Sequence, residues 1–505
     1  MLLLRSDSER QAKWLILAVL LAVTAAVQLP LALNHDAAWH FYTSFRFIGG
    51  DRIGRDISDM NPPMAMWLFA GPAALVVATG FDPALTFKLT TLALCALCWA
   101  ICSRTLANRN DVARPSFALA ALGLALFVLP GYDFGQREHL AVALTLPYIL
   151  FAGGPVSARS RRTAVLIGGL AAIGIGFKPY FLAVPLILEA YLCYRDKSFR
   201  RLWRSELVAM AFVWCIYLAA VGIIAPDYYR RQVPAALVGY GAYEVAWPVF
   251  IERMAPVIGA PALWALLCWI TVRHPIRPAQ AVLAASLGFL IAAVMQAKGW
   301  AYQLYPVASL LIVAGGLMLS QEQLGLRRMV SAIVLLAIAC LIPPAAFVLD
   351  GWRDDGTTAR VSTLTRLFEN NVRPGGYVFA FMTSPRDVFP AVLESRRHWA
   401  NAAGAMLYLP AYVDALSADS PPPDFAAIKA VSDAQNLATI HDLATRRPNI
   451  ILVDSSNGKL GLEGRHFDYI GFFRRHYPQF SEVWRAYRER RPIGRFRVFT
   501  RRTPI

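Results

Sequence analysis

Apolar runs close to the roughly 20 residues that cross a bilayer recur between residues 14 and 348, separated by short polar turns. The spacing predicts a polytopic α-helical membrane protein with about 11 to 13 transmembrane helices. The first run, residues 14–33, follows a short charged start and lacks a small-residue cleavage site, so it reads as a retained helix with a cytoplasmic N-terminus. Beyond Pro343-Pro344 and a last apolar stretch the pattern becomes short alternating segments of ordinary charge. Strands are predicted at 377–382, 450–453 and 496–500, helices at 426–437 and 469–490, and a loop at 417–424, which holds three consecutive prolines. The chain therefore divides into a transmembrane domain, 1–349, with an external loop at 34–63, and a soluble extracytoplasmic α/β domain, 350–505.

Composition sharpens this picture. With 57% hydrophobic and 16% charged residues, secreted, fibrous and disordered classes are excluded. A net charge of +17 would point to nucleic acid in a soluble protein, but here the basic residues sit largely in short loops and report orientation instead. Loops 104–114, 159–162, 195–204, 273–277 and 327–328 are placed in the cytoplasm; 132–139, 177–180, 226–252, 297–303 and everything after about residue 350 are placed outside. This alternation requires an odd number of crossings between Asn61 and Arg104, where two apolar runs stand, 64–79 and 85–102. A shallow or re-entrant segment after Pro62-Pro63, or a basic loop lying outside at 104–114, reconciles the two. The seven cysteines lie in or beside apolar segments and read as small core residues; Cys95, Cys98 and Cys102 recur at helical spacing. No internal repeat, glycine-rich phosphate loop or zinc spacing occurs.

Chemistry concentrates in the loops placed outside. The first contains Asn34-His35-Asp36, then Asp51, Asp56, and Asp59-Met60-Asn61-Pro62-Pro63-Met64. A carboxylate at Asp36, next to the end of the first apolar run, stands at headgroup level, where a base meets a membrane-anchored reactant; Asp51, Asp56 and Asp59 serve equally well as helix caps or surface charges. The second loop reads Tyr132-Asp133-Phe134-Gly135-Gln136-Arg137-Glu138-His139 and enters an apolar helix, where charge is costly unless paired or used. Lys178 and Lys298 stand in apolar flanks, the latter followed by Trp300, Tyr302 and Tyr305. Helix-end snorkelling and an interfacial aromatic belt account for these residues as well as ligand binding does. The loop at 226–252 carries Tyr240 and Tyr243 and reads either as a cover over a site or as a connector lying on the membrane.

Asn34-His35-Asp36 after the first membrane helix and Asp59-Met60-Asn61-Pro62-Pro63-Met64 together resemble the GT-C superfamily of integral membrane glycosyltransferases, which includes protein O-mannosyltransferases and lipid A aminoarabinose transferases. The motif match covers about 30 residues, with Met64 where the family has leucine; helix count and tail extend it in outline. The resemblance implies cell-envelope glycan biosynthesis: one sugar passes from a polyprenyl-phosphate donor to a glycan, lipid or protein acceptor at the outer, periplasmic face of the cytoplasmic membrane. It implies inversion, with Asp36 as base and Glu138 as second catalytic acid, Asp133 in reserve. Lys178, Lys298 and Arg137 would bind the donor phosphate, and His35, Asp59, Asn61, His139, Tyr240, Tyr243, Trp300 and Tyr302 the substrates. Mg²⁺ or Mn²⁺ held by Asp36 and Glu138 is an optional cofactor. A lipid-linked sugar flippase or transporter, or an oligosaccharide ligase, is the alternative; the former calls for paired broken helices and internal symmetry, neither of which the sequence displays.

Overall fold

A computed structural model describes residues 2–107, 109–154, 160–272, 274–321 and 356–502. The basic pair at 327–328, Cys340, Pro343-Pro344 and the proposed boundary at 349/350 lie outside the described residues. The chain forms two compact units: one gathers 1–31, 87–219 and 245–355, the other 32–86, 220–244 and 356–505.

The first unit is helical. It is built from α1 (Leu2–Gln28), most of α5 (Pro83–Ala107), α6 (Pro115–Gly123), α7 (Arg137–Ala152), α8 (Arg161–Gly176), α9 (Ala183–Asp196), most of α10 (Ser205–Ile224), α12 (Trp247–Val272), α13 (Arg277–Gln296) and α14 (Ala301–Leu319). Six described helices, α1, α5, α10, α12, α13 and α14, are long and apolar enough to cross a membrane. The apolar window of α14 is 89% buried, whereas those of α1 and α10 are 17% buried. Apolar surface so exposed on α1 and α10 is stable only against lipid, so the chain is a multi-pass membrane protein. At the centre, α14 packs against α6, α7, α12 and α13. Gly315 and Gly316 permit this approach, since a Cβ on the first would overlap the Trp264 ring and on the second the Ala121 Cβ. Cys95, Cys98 and Cys102 are fully buried along α5, a packing stripe, while Cys215 is exposed, unlike the small core residue expected there.

The second unit holds α2 (His35–Ile48), α3 (Met64–Leu68), α4 (Ala70–Thr79), α11 (Val233–Gly239) and the C-terminal sheet. The apolar run at 64–79 is broken at Phe69, and α4 has only 10 residues, a rise of about 15 Å against a hydrocarbon core of about 30 Å. Alone it is too short to cross, as a shallow segment after Pro62-Pro63 would be. Segment 226–252, expected as a loop, is helical almost throughout: a π turn at Tyr228–Gln232, α11, a 3-10 turn at Tyr240–Tyr243 and the start of α12.

Five strands, β1 (Tyr377–Phe381), β2 (His398–Trp399), β3 (Ile450–Asp454), β4 (Tyr487–Ile493) and β5 (Phe496–Arg501), form one sheet in the order β2-β1-β3-β5-β4. β1 is parallel to β2 and β3, and β5 is antiparallel to β3 and β4. β3 is buried throughout, matching its unbroken apolar run Ile450-Ile451-Leu452-Val453. The helix expected at 426–437 runs Phe425–Arg446. The one expected at 469–490 is instead two short helices, Tyr469–His476 and Gln479–Trp484, followed by β4, an exposed charged edge with Pro492 in it.

Candidate functional site

The polar residues at one end of the first unit form a buried network. Glu138 lies in the first turn of α7; Lys178 caps the 3-10 turn Pro179–Leu182 that follows α8; Gln296 ends α13 and Gln303 lies in the first turn of α14. Lys178 Nζ donates to Glu138 Oε1 at 2.5 Å and to Gln296 Oε1 at 3.1 Å, and Gln303 Nε2 donates to the same Gln296 oxygen at 3.0 Å. The Lys178 ammonium also lies 5.4 Å from the Tyr302 ring centroid. Glu138 is 1% exposed, so this is a buried ion pair and not a lone phosphate-binding cation beside a free acid. Lys178, expected at the donor phosphate, and Glu138, expected as a catalytic acid, are thus brought together as an ion pair. A solvated Arg137–Glu138 pair is likewise excluded, because both side chains are buried and the carboxylate takes Lys178.

His139 was expected to position a substrate. Its Nδ1 accepts from Gly135 N at 2.9 Å and its Nε2 faces Leu126 O at 2.8 Å, so both ring nitrogens are spent on backbone, which fixes the Nε2–H tautomer. That is a structural role. Lys298 sits between Ala297 and Gly299, both at positive φ (50° and 60°), in the turn that reverses α13 into α14. Its ammonium lies 5.2 Å from the Trp300 ring, whose centroid is 5.7 Å from that of Tyr302. A cation and two amphipathic rings thus cluster at the start of α14. Lys88, not singled out from sequence, is buried in α5 with its ammonium donating to the carbonyls of Leu29 and Leu31, the groups left open where α1 ends.

In the second unit, Asn34 caps α2: its Oδ1 accepts from Asp36 N at 2.8 Å and Ala37 N at 3.4 Å. Asp36 is therefore in the first turn of a second helix, at its positive end, and not in an open loop. Its side chain is 23% exposed, and His35 Nε2 stands 3.7 Å from Oδ1. Burial, followed by the Arg386 and Arg495 guanidinium groups, pushes the His35 imidazole below its ordinary range, against the pull of Asp36 and Asp387. Arg386, Asp387 and Arg495, the electrostatic neighbours of His35, lie in the loop after β1 and the turn before β5, beside the carboxyl ends of the parallel strands β1 and β3, where ligands commonly bind in open α/β sheets. There Arg495 Nη2 donates to Arg386 O at 2.9 Å and lies 3.8 Å from Asp387 Oδ2, while its Nε lies 3.8 Å from Asp454 Oδ2. Arg360 Nε donates to Asp387 Oδ2 at 3.2 Å. Asp387 is 2% exposed, adopts φ +71°, and its Oδ1 has no hydrogen-bond partner among the described residues. Backbone strain combined with a half-satisfied buried carboxylate is characteristic of binding loops. Arg386, Asp387 and Arg495 were missed from sequence, since only the pairing of β1 with β3 and of β3 with β5 brings the loop after β1 and the turn before β5 together.

The remaining acids of the first loop are structural. Asp59 Oδ2 accepts from Trp39 Nε1 at 2.7 Å and Oδ1 from Asn61 N at 2.9 Å and Asn61 Nδ2 at 2.7 Å, with His40 Nδ1 3.6 Å from Oδ2. Asp59 and Asn61 thus clip the Pro62-Pro63 turn onto α2, in correction of their substrate-binding assignment. Asp51 pairs with Arg46 at 2.6 Å and Asp56 with Arg52 at 3.2 Å. Gln232 Nε2 donates to Gly54 O at 3.2 Å and Ser58 Oγ to Gln232 Oε1 at 3.0 Å, tying this loop to the 226–232 segment. Tyr243 Oη donates to Leu407 O at 3.0 Å and the residue is buried; the Tyr240 ring centroid lies 5.5 Å from that of Tyr243, the rings tilted by 58°. Glu138 Oε1 takes the Lys178 ammonium, and among the described residues no three His, Cys, Asp or Glu gather as metal ligands.

A bundle of lipid-facing helices together with a small mixed sheet is a polytopic protein of the GT-C fold, as its likeness to solved structures shows. The solved structure of ArnT from Cupriavidus metallidurans bound to undecaprenyl phosphate matches at TM-score 0.62 and 12% identity, covering 96% of this chain and 97% of that one. Its apo form matches at TM-score 0.61 and 12% identity, over 95% and 97%. No protein-family model and no curated protein matches the sequence.

Proposed function

We propose that the protein is a glycosyltransferase that moves one sugar from a polyprenyl-phosphate donor to an acceptor hydroxyl at the outer face of the cytoplasmic membrane. The observation that carries this reading is the end-to-end likeness to ArnT, a protein solved with undecaprenyl phosphate; it is supported by a carboxylate, Asp36, in the first turn of α2 next to His35, whose electrostatic neighbours include Arg386, Asp387 and Arg495. Asp36 accepts the proton of the acceptor hydroxyl while its oxygen attacks the anomeric carbon. The bond from that carbon to the phosphate oxygen breaks, and the phosphate leaves with the electron pair, giving inversion. Lys298 and Arg137 are the cations assigned to the phosphate as its charge grows, and Trp300 and Tyr302 to the donor. Glu138 and Lys178 hold α7, α8 and α13 in register and act on the reaction only through that scaffold. The Arg386–Asp387–Arg495 loop holds the acceptor. No step is routed through a metal.

The test supplies purified full-length protein with a radiolabelled polyprenyl-phosphate sugar in proteoliposomes. Release of polyprenyl phosphate with transfer of label to a hydroxyl acceptor is expected; redistribution of intact labelled lipid between leaflets without release would assign the protein to carriage instead.

A further inference from the structure

The second unit contains a cavity of about 570 Å³ that none of the foregoing uses. We propose that this cavity, walled by Tyr42, Arg46, Arg396, His398, Trp399 and Arg446, binds the anionic phosphate headgroup of a membrane lipid. The residues assigned to the donor all lie in the other unit.

Its volume lies within the range typical of small-molecule sites, about 300–1,000 Å³. Four arginines line it, Arg397 being the fourth, against one carboxylate, Asp51, which is taken by Arg46 Nε at 2.6 Å. The other guanidinium groups are held mainly by neutral backbone. Arg396 Nη2 donates to Gly80 O at 2.8 Å and Phe81 O at 2.9 Å; Arg397 Nε donates to Val372 O at 2.8 Å; Arg446 Nη1 donates to Trp399 O at 3.4 Å, with Asp442 3.6 Å from its Nε. Carbonyl acceptors fix the direction of a guanidinium without cancelling its charge, so the wall is both pre-organised and cationic, as bidentate phosphate recognition requires. Burial, then Arg46 and Arg446, holds the neighbouring His398 imidazole below its ordinary range, consistent with that cationic field.

The apolar part of the lining selects an amphiphile over a free anion. Val76, Val77 and Gly80 line the cavity from the end of α4, and the surface around them is apolar and open: Val77 is 69% exposed, Phe81 58%, Leu75 48% and Ile48 38%. α4 is too short to cross a bilayer, so this apolar rim is suited to lying in the headgroup region, where acyl chains adjoin the phosphate.

The experiment titrates the full chain in detergent with dioctanoyl phosphatidic acid, inorganic phosphate and dioctanoylglycerol, following binding by calorimetry. Phosphatidic acid should bind at one site, more tightly than phosphate, and dioctanoylglycerol more weakly than either. R396Q and R446Q should each weaken phosphatidic acid and phosphate by about ten- to a hundred-fold, the usual effect of one lost charge-assisted contact. Val77→Asn, at an exposed position that does not endanger folding, should weaken phosphatidic acid several-fold and leave phosphate unchanged. Should the glutamine variants fail to fold, R446K, which keeps the charge and loses the fork, and Val77→Asn decide. Unchanged phosphatidic acid binding in the folded arginine variants overturns the proposal, as does phosphatidic acid binding no tighter than phosphate or dioctanoylglycerol.

Discussion

Two groups of polar residues stand in this molecule under opposite physical terms. The Glu138–Lys178–Gln296–Gln303 network at the ends of the apolar helices is buried and joined by an ion pair and side-chain hydrogen bonds, with Glu138 Oε2 and Gln303 Oε1 left without a hydrogen-bond partner among the described residues. Asp36, at the start of α2, remains 23% exposed at the positive end of a helix, next to His35, whose electrostatic neighbours include a strained, half-satisfied aspartate and two arginines. Removing two opposite charges from water is costly, and their mutual attraction offsets that cost only while both are present, so the first group belongs to stability. A carboxylate with access to solvent is able to exchange a proton with a ligand, which is the role proposed for Asp36. A charge in an apolar context is thus not by itself a sign of ligand binding; what its partners are decides.

The contrast is broken most severely by unpairing the first group. Lys178→Met leaves Glu138 buried beside apolar helices and should lower stability by about 3–5 kcal/mol, read as thermal unfolding in detergent, while Lys178→Met with Glu138→Gln should recover most of it. A lone Lys178→Met that melts like the wild type would return Lys178 to the ligand-binding residues.

Lys298 tests the boundary between the groups. Assigned to the donor phosphate, Lys298→Ala should raise the donor KM by about ten- to a hundred-fold, with a smaller change in melting temperature than Lys178→Met causes. Unchanged donor KM would leave it as an anchor of the α13–α14 turn.

Asp59→Asn sharpens the comparison from inside the first loop. The asparagine amide retains one acceptor, but its NH₂ then meets either the Trp39 indole N–H or the Asn61 donors. The expected loss is about 1–3 kcal/mol of stability with turnover per folded molecule retained, in contrast to Asp36. The smallest effect is expected for Tyr243→Phe, which removes one hydrogen bond to Leu407 O: about 0.5–1.5 kcal/mol in unfolding and no change in turnover.

The unequal legibility of the two groups in the sequence has physical causes. Asp36 is set by neighbours in sequence, Asn34 capping and the helix that follows, so its place was readable to within a residue or two. The partnership of Glu138 and Lys178 spans 40 positions and depends on α7 packing against α8, which no local pattern encodes. β3 was evident because a strand buried on both faces is an unbroken apolar run. β4 was read as helix because Tyr487-Arg488-Glu489-Arg490-Arg491 has no apolar face of either period; its only signal was the two-residue Gly494-Arg495 turn, with Gly494 at φ +54°, which folds it back onto β5. Arg495 was overlooked for the same reason.

The central claim, that Asp36 is the base, is tested most directly by measuring turnover and melting temperature on one preparation of Asp36→Asn. The substitution keeps the side chain's size and leaves the Asn34 cap in place. The account predicts an unchanged melting temperature with turnover reduced by about 10²–10⁴. A stable Asp36→Asn protein that retains more than about a tenth of wild-type turnover, well outside that range, would contradict it.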